Sequence, residues 1–165
     1  MVQMHRSREN GVRSETMKVT FWGVRGSIPV PGPLTHRYGG NTSCVYVDCG
    51  PDKPNVILDA GTGIRPLGQK LNQLAGPLDL HIFITHAHWD HIQGLPFFYP
   101  LLREDTTITF YSRNRDEFPV EEVIRKVVES PYFPVSYQMW KARTSFVAMD
   151  DAHRVELPQG VVVHS

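Results

Sequence analysis

The sequence predicts an α/β fold (α+β by some schemes). Three observations predict it. Short β-branched and aromatic runs alternate with segments of helical period, the pattern of strands joined through helices. The run Leu80-His81-Ile82-Phe83-Ile84 is apolar enough to read as a buried strand. It passes at once into Thr85-His86-Ala87-His88-Trp89-Asp90-His91, a loop at the carboxyl end of a strand, where α/β proteins keep their chemistry.

Each element has its own signal. Residues 1–16 are hydrophilic and aperiodic and read as a flexible polar tail. One domain is expected over 17–165, opening on the strand pattern Lys18-Val19-Thr20-Phe21-Trp22. A Gly/Pro-rich loop over 23–40 follows, stiffened by Pro29, Pro31 and Pro33; loops this long are usually functional or disordered. Strands are expected at 43–49 and 55–58. Gly61-Thr62-Gly63 then turns the chain into a helix over about 64–74, with Leu67, Leu71 and Leu74 at helical spacing. After the 80–84 strand and its loop, a short helix bounded by prolines is expected near 92–102. A strand at 107–111 leads to a helix at 119–129 with Pro119 at its start. Ser130-Pro131-Tyr132-Phe133-Pro134 ends that helix, and short strands fit at 144–149 and 160–164. The sequence shows no repeat and no low-complexity region.

Composition removes several function classes. The chain has 165 residues, 41% of them hydrophobic, enough for one domain with a real core. Its 17 basic and 17 acidic side chains cancel, so global electrostatics give no support to a polyanion-binding surface. No run approaches the roughly 18 apolar residues that a membrane span needs. Residues 1–16 lack the apolar stretch of a secretory signal, so a cytoplasmic location is expected. Cys44 and Cys49 lie five positions apart in one expected strand and face opposite sides. They are expected to be small buried residues in a reducing compartment, not a disulfide.

The chemistry concentrates in the loop. His86, His88, Asp90 and His91 place three imidazoles and a carboxylate within six positions. That mixture suits Zn²⁺ first, with Mn or Fe as alternatives. In an extended loop His86 and His88 point the same way and can clamp one metal. Asp90 and His91, past the turn, can reach a second. Two such metals roughly 3.5–4 Å apart could share a hydroxide and polarise a phosphoryl or carbonyl oxygen. Asp90 is the candidate catalytic residue, as ligand or as general base.

These residues resemble the H-x-H-x-D-H signature of the metallo-β-lactamase fold. The flanks sharpen the likeness. Residues 85–96, ending Ile92-Gln93-Gly94-Leu95-Pro96, resemble the branch that holds ribonuclease Z and related phosphodiesterases. Leu58-Asp59-Ala60-Gly61-Thr62-Gly63 is similar to the Asp-bearing strand end that precedes the signature. Gly23-Val24-Arg25-Gly26-Ser27-Ile28-Pro29 and Arg37-Tyr38-Gly39-Gly40-Asn41-Thr42-Ser43-Cys44 resemble a bacterial, cyclic-nucleotide-phosphodiesterase-like subfamily.

The resemblance implies an αββα sandwich of two similar halves, of which this sequence supplies the N-terminal half or slightly more. It implies two metals. Their third His, bridging Asp and last His would then lie beyond Ser165, which leaves one sheet face uncovered and invites a homodimer. His164, and less so His153, is the candidate for the third position; a solvated strand end is the alternative. Asp59 is implied to position the ligand loop through hydrogen bonds, with a cap-like turn residue ahead of the 64–74 helix as the equal alternative.

The remaining candidates carry less. Gly23, Gly26, Gly39 and Gly40 could let backbone N–H groups approach a phosphate, or be plain turns. Arg25, His36 and Arg37 could meet an anion. Tyr132 and Phe133 could line a pocket for a base or aromatic group, with core packing or loop anchoring preferred. The substrate-binding residues are otherwise unassigned. Three readings follow. The first is a di-zinc phosphodiesterase whose metal-bound hydroxide attacks a small or cyclic nucleotide or a related small phosphodiester. The second is a ribonuclease Z-like RNA-processing nuclease, disfavoured by the neutral charge. The third is a catalytically incomplete metal-binding fragment.

Overall fold

The computed structural model describes residues 17–113, 119–149 and 154–164. Residues 1–16 and His153 lie outside the described residues, and with them the expected tail. Six strands form one sheet in simple chain order: β1 (Lys18–Gly23), β2 (Cys44–Asp48), β3 (Asn55–Leu58), β4 (Leu78–Ile84), β5 (Thr106–Arg113) and β6 (Arg143–Met149). The first two pairings are antiparallel and the last three parallel. A parallel pairing requires a crossover, and helical segments supply all three. They are α1 (Ile64–Leu71), then α2 (Trp89–Ile92) with two 3₁₀ turns, then α3 (Val120–Val127).

The crossovers pack on one face of the sheet. Ile57, Leu80, Ile82, Ile108 and Phe110 of the strands meet Ile64, Leu67, Leu95, Phe98, Leu101 and Ile124, all buried. Strand β4 is buried at six of its seven positions, as a central strand covered on both sides must be.

The second face, expected to stand uncovered, is covered in part. A row of cross-strand partners runs over it through Val45, Leu58, Phe83, Tyr111 and Val147. A hairpin of β7 (Arg154–Glu156) and β8 (Val162–His164) lies against it, with Leu157 buried and Val155, Val161 and Val163 packed on the same cluster. Strand β7 is too short and too charged (Arg-Val-Glu) to carry a period-two signal, so the sequence did not reveal it. Part of the row remains open, with Phe21 and Val147 exposed at its two ends.

Two further expectations change. The helix near 92–102 is a four-residue α2 that starts inside the ligand run, followed by 3₁₀ turns at Leu95–Phe97 and Tyr99–Leu102. Pro96 and Pro100 remove the backbone donors that a continuous helix needs. The 64–74 helix stops at Leu71, and Asn72 and Leu74 continue only as a turn. Both cysteines are free and buried; Cys44 belongs to the helical-side core and Cys49 to the hairpin side.

Close backbone contact aligns the two loops at the carboxyl ends of β3 and β4. Ala60 donates its N–H to His91 O at 2.7 Å, and Gly94 donates to Ala60 O at 2.9 Å. A Cβ on Gly61 would stand 2.1 Å from Asp90 O, and one on Gly94 would stand 2.1 Å from Gly61 O. Glycine is therefore a requirement of distance at both positions. Gly61→Ala and Gly94→Ala should each cost at least about 1–3 kcal/mol of stability, as overpacking does. A Cβ on Gly26 meets nothing within 4 Å, so Gly26→Ala should stay near wild type. Urea unfolding midpoints of the three variants check this.

Candidate metal centre

The loop after β4 turns into α2 inside the histidine run. His88 holds extended backbone as the residue before the helix, with φ −65° and ψ 149°. His86 and His88 therefore precede the turn, and Asp90 and His91 sit in its first residues. The structure brings the four side chains together. The His86 ring centroid lies 4.4 Å from that of His88 and 4.1 Å from that of His91.

The donors fall into two pairs. His86 Nε2 and His88 Nδ1 are 3.1 Å apart. His91 Nε2 and Asp90 Oδ2 are 3.5 Å apart. Two nitrogen donors on one tetrahedral zinc, at about 2.0–2.1 Å each, stand about 3.3 Å from one another. Both separations are close to that edge length, so the chemistry and spacing of these four side chains are compatible with divalent-metal ligation. Among the described residues no group of three or more His, Cys, Asp or Glu side chains is arranged around one ion. Each pair thus leaves the remaining positions to solvent or to donors outside the described residues.

Hydrogen bonds set which nitrogen each ring offers. Asp59 Oδ2 lies 2.7 Å from His91 Nδ1. An ionised carboxylate only accepts, so Nδ1 of His91 carries the proton and Nε2 keeps its lone pair toward Asp90. Thr85 Oγ1 donates to Asp59 Oδ1 at 2.8 Å and faces His86 Nδ1 at 3.1 Å. The hydroxyl's proton is committed to Asp59, so it accepts from His86 Nδ1 and leaves Nε2 toward His88. Partial burial and the neighbouring rings of His91 and His88 push His86 below the ordinary histidine range, which favours the neutral, ligating form.

Asp59 is 5% exposed and sits at φ 61°, a left-handed conformation that Asp tolerates. Its carboxylate accepts from Thr85 N at 2.9 Å, Thr85 Oγ1 at 2.8 Å and Ser43 Oγ at 3.1 Å, besides His91. It does not cap α1, whose N-cap is Gly63. Asp90 Oδ2 accepts the backbone N–H of Ser27 at 2.9 Å, and that bond is the first cause holding the Asp90 carboxyl below its usual range. The lowered value keeps Asp90 ionised, which suits a ligand more than a proton acceptor at neutral pH.

Other sequence candidates stay apart from this cluster. Arg25 folds back on its own loop, donating Nε to Ile28 O at 3.0 Å, and Arg37 lies over the Tyr38 ring. His36 is exposed on the same loop. Gly23 and Gly40 pack against the backbone of Thr42 and Val30, where a Cβ would stand 1.7 and 2.1 Å from a carbonyl oxygen. His164 is exposed on β8, and no described contact ties it to the histidine run. Tyr132 is 83% exposed, so the preferred reading of core packing fails for it, whereas Phe133 is anchored edge-on against Phe97.

Sequence reasoning missed Ser27, Ser43 and Thr85, which orient the ligand loop, and the Thr42–Thr62 clasp. In that clasp each threonine accepts the other's N–H, at 2.8 and 2.9 Å. Thr85 had the one usable signal, a hydroxyl directly before the first histidine.

Residues 37–103 match the model of the metallo-beta-lactamase superfamily. A ribonuclease Z of Haloarcula marismortui is 28% identical over 123 residues, 73% of this chain and 36% of that protein. A ribonuclease Z of Natronomonas pharaonis is 30% identical over 124 residues, with the same two shares. The chain thus spans about a third of the length of these relatives. The crystal structure of the metallo-beta-lactamase fold protein YhfI from Bacillus subtilis superposes with a TM-score of 0.53 at 17% identity, covering 86% of this chain and 49% of that one.

The anchoring of His91 is open to measurement. Asp59→Asn keeps the shape but replaces an acceptor-only group, so the Nδ1 proton of His91 is no longer fixed. Zn²⁺ affinity should fall by about 10–100-fold, the usual effect of losing such an orienting partner. Calorimetric titration of the metal-free variant against wild type checks it.

Proposed function

We propose that this chain, which carries a metallo-beta-lactamase superfamily domain segment in the metallo-beta-lactamase fold, is the metal-binding part of a metal-dependent phosphodiesterase. The single observation that carries the reading is the pairing of donors at zinc edge lengths, His86 with His88 and Asp90 with His91. Two divalent ions, zinc first and Mn or Fe as alternatives, would supply Lewis-acid polarisation and an activated water at neutral pH.

The protein's own residues do the positioning. His86 and His88 hold one ion, and Asp90 and His91 hold the other. Asp59 fixes the ring of His91, Thr85 that of His86, and the Ser27 N–H the carboxylate of Asp90. A phosphodiester suits the site because two adjacent cations complement the charge that develops on its oxygens.

The substrate class has two readings. A small or cyclic nucleotide, or a related small phosphodiester, agrees with a chain of zero net charge and no basic tract. An RNA substrate is favoured by the relatives, which are named ribonuclease Z. The small phosphodiester is the first reading, since the balanced charges of this sequence give no global electrostatic support to a long polyanion. No helix of the described residues is long and apolar enough to cross a membrane, and the two free cysteines suit the cytoplasm.

The test is hydrolysis by the purified chain loaded in turn with Zn²⁺, Mn²⁺ and Fe²⁺. Bis(4-nitrophenyl) phosphate should turn over faster than a short RNA oligonucleotide, and His88→Ala should return the rate to background. Turnover of RNA alone would move the substrate to the second reading. Metal binding with no turnover of either substrate would leave a catalytically incomplete metal-binding fragment.

A further inference from the structure

A cavity of about 370 Å³ opens between the ligand loop and α3. Ala87 and Trp89, the two residues interleaved with the histidines and Asp90, form one wall. Val123 and Lys126 of α3 and Tyr132 of the following turn form the other. Two large rings border this space while remaining largely open to solvent, Trp89 at 63% and Tyr132 at 83% exposure. An apolar cavity bordered by two exposed aromatic rings is the kind of surface that marks a ligand-binding groove. The turn that carries Tyr132 is anchored. Tyr132 N and Phe133 N both donate to Glu129 O, and the Phe133 ring packs edge-on against Phe97 at 5.4 Å. Tyr132 is thus held beside the cavity by its neighbours, without being buried itself.

We propose that this cavity is the subsite for a planar aromatic group carried on the phosphoryl substrate. The inference rests on the phosphodiesterase reading for the identity of the attached phosphate, and names the part of the substrate that selects it. Size agrees, since small-molecule sites begin at about 300 Å³. Chemistry agrees as well. Tryptophan and tyrosine offer π-faces that stack on any flat ring, whereas an alkyl chain gains only area. Lys126, paired with Glu122 at 2.7 Å, is the charged residue of the lining, so the cavity suits an uncharged ring and leaves the phosphate to the donor pairs. Ala87 and Trp89 alternate with the donors along the chain, which sets the cavity beside the loop that carries them.

The test separates this claim from the hydrolase reading by working without metal. In the presence of chelator, saturation-transfer NMR is run with three probes: phenyl phosphate, adenosine 5′-monophosphate and ethyl phosphate. The two aromatic probes should show transfer to their ring protons, and ethyl phosphate should show none. Stronger transfer to the adenine ring identifies a nucleobase subsite; stronger transfer to phenyl identifies a simple aryl one. Trp89→Ala and Tyr132→Ala should each weaken aromatic binding by roughly tenfold, within the range of lost stacking. Trp89→Phe should restore most of it. Leu34→Ala, at a fully exposed side chain on the 23–40 loop, should change nothing. Equal transfer to all three probes, or aromatic binding untouched by both alanine variants, would overturn the proposal even if hydrolysis is observed. So would a shift in oligomeric state of these variants without any aromatic binding, because the cavity would then be a self-association surface.

Discussion

A buried carboxylate governs how this site is built. Asp59 is nearly inaccessible, and a charge in that position is tolerated only if its lone pairs are filled. The fold fills them from three separate segments: Ser43 at the start of β2, Thr85 at the end of β4, and His91 in α2. The same bonds that satisfy Asp59 bring the ends of β2 and β3 against the ligand loop. They also assign the proton of His91. Local backbone strain at φ 61° is the cost of aiming the carboxylate into this junction. The glycines at 61 and 94 make the approach possible by removing side chains from the contact.

From that junction the functional geometry follows in order. Parallel strands β3 and β4 end side by side, so their following loops meet. The first turn of α2 starts within the ligand run, which splits four donors into a pair before the turn and a pair after it. Ser27, held at φ 70° in the long loop after β1, reaches back to Asp90. A loop that sequence alone marked only as glycine- and proline-rich thereby becomes a wall of the site. Gly23 and Gly40 at its ends serve close packing against Thr42 and Val30, and Ser27 contributes a backbone N–H to Asp90.

What the sequence made legible was whatever rests on local pattern. Strand β3 falls at 55–58 as read, and the continuous apolar run of β4 announced a central strand. The donor run stood out because four ligands at short spacing have few other uses. The opposed faces of Cys44 and Cys49 followed from period two alone. What stayed hidden depends on contacts between distant segments. Ser27 and Ser43 are 63 and 16 positions from the carboxylates they serve, and a serine in a loop has no distinguishing mark. For Tyr132 the sequence leaves core packing, loop anchoring and a pocket wall open, and only the folded chain shows that its ring is exposed. Strand β7 escaped because three residues, two of them charged, cannot display a period.

The central claim is that the four donors act as two pairs, one per metal ion. The most direct measurement is the stoichiometry of Zn²⁺ binding to the metal-free chain by isothermal calorimetry, for wild type, His88→Ala and Asp90→Ala. The account predicts two equivalents for wild type and the loss of one in each variant, from different pairs. A single equivalent in wild type, or stoichiometry unchanged by both substitutions, would contradict it.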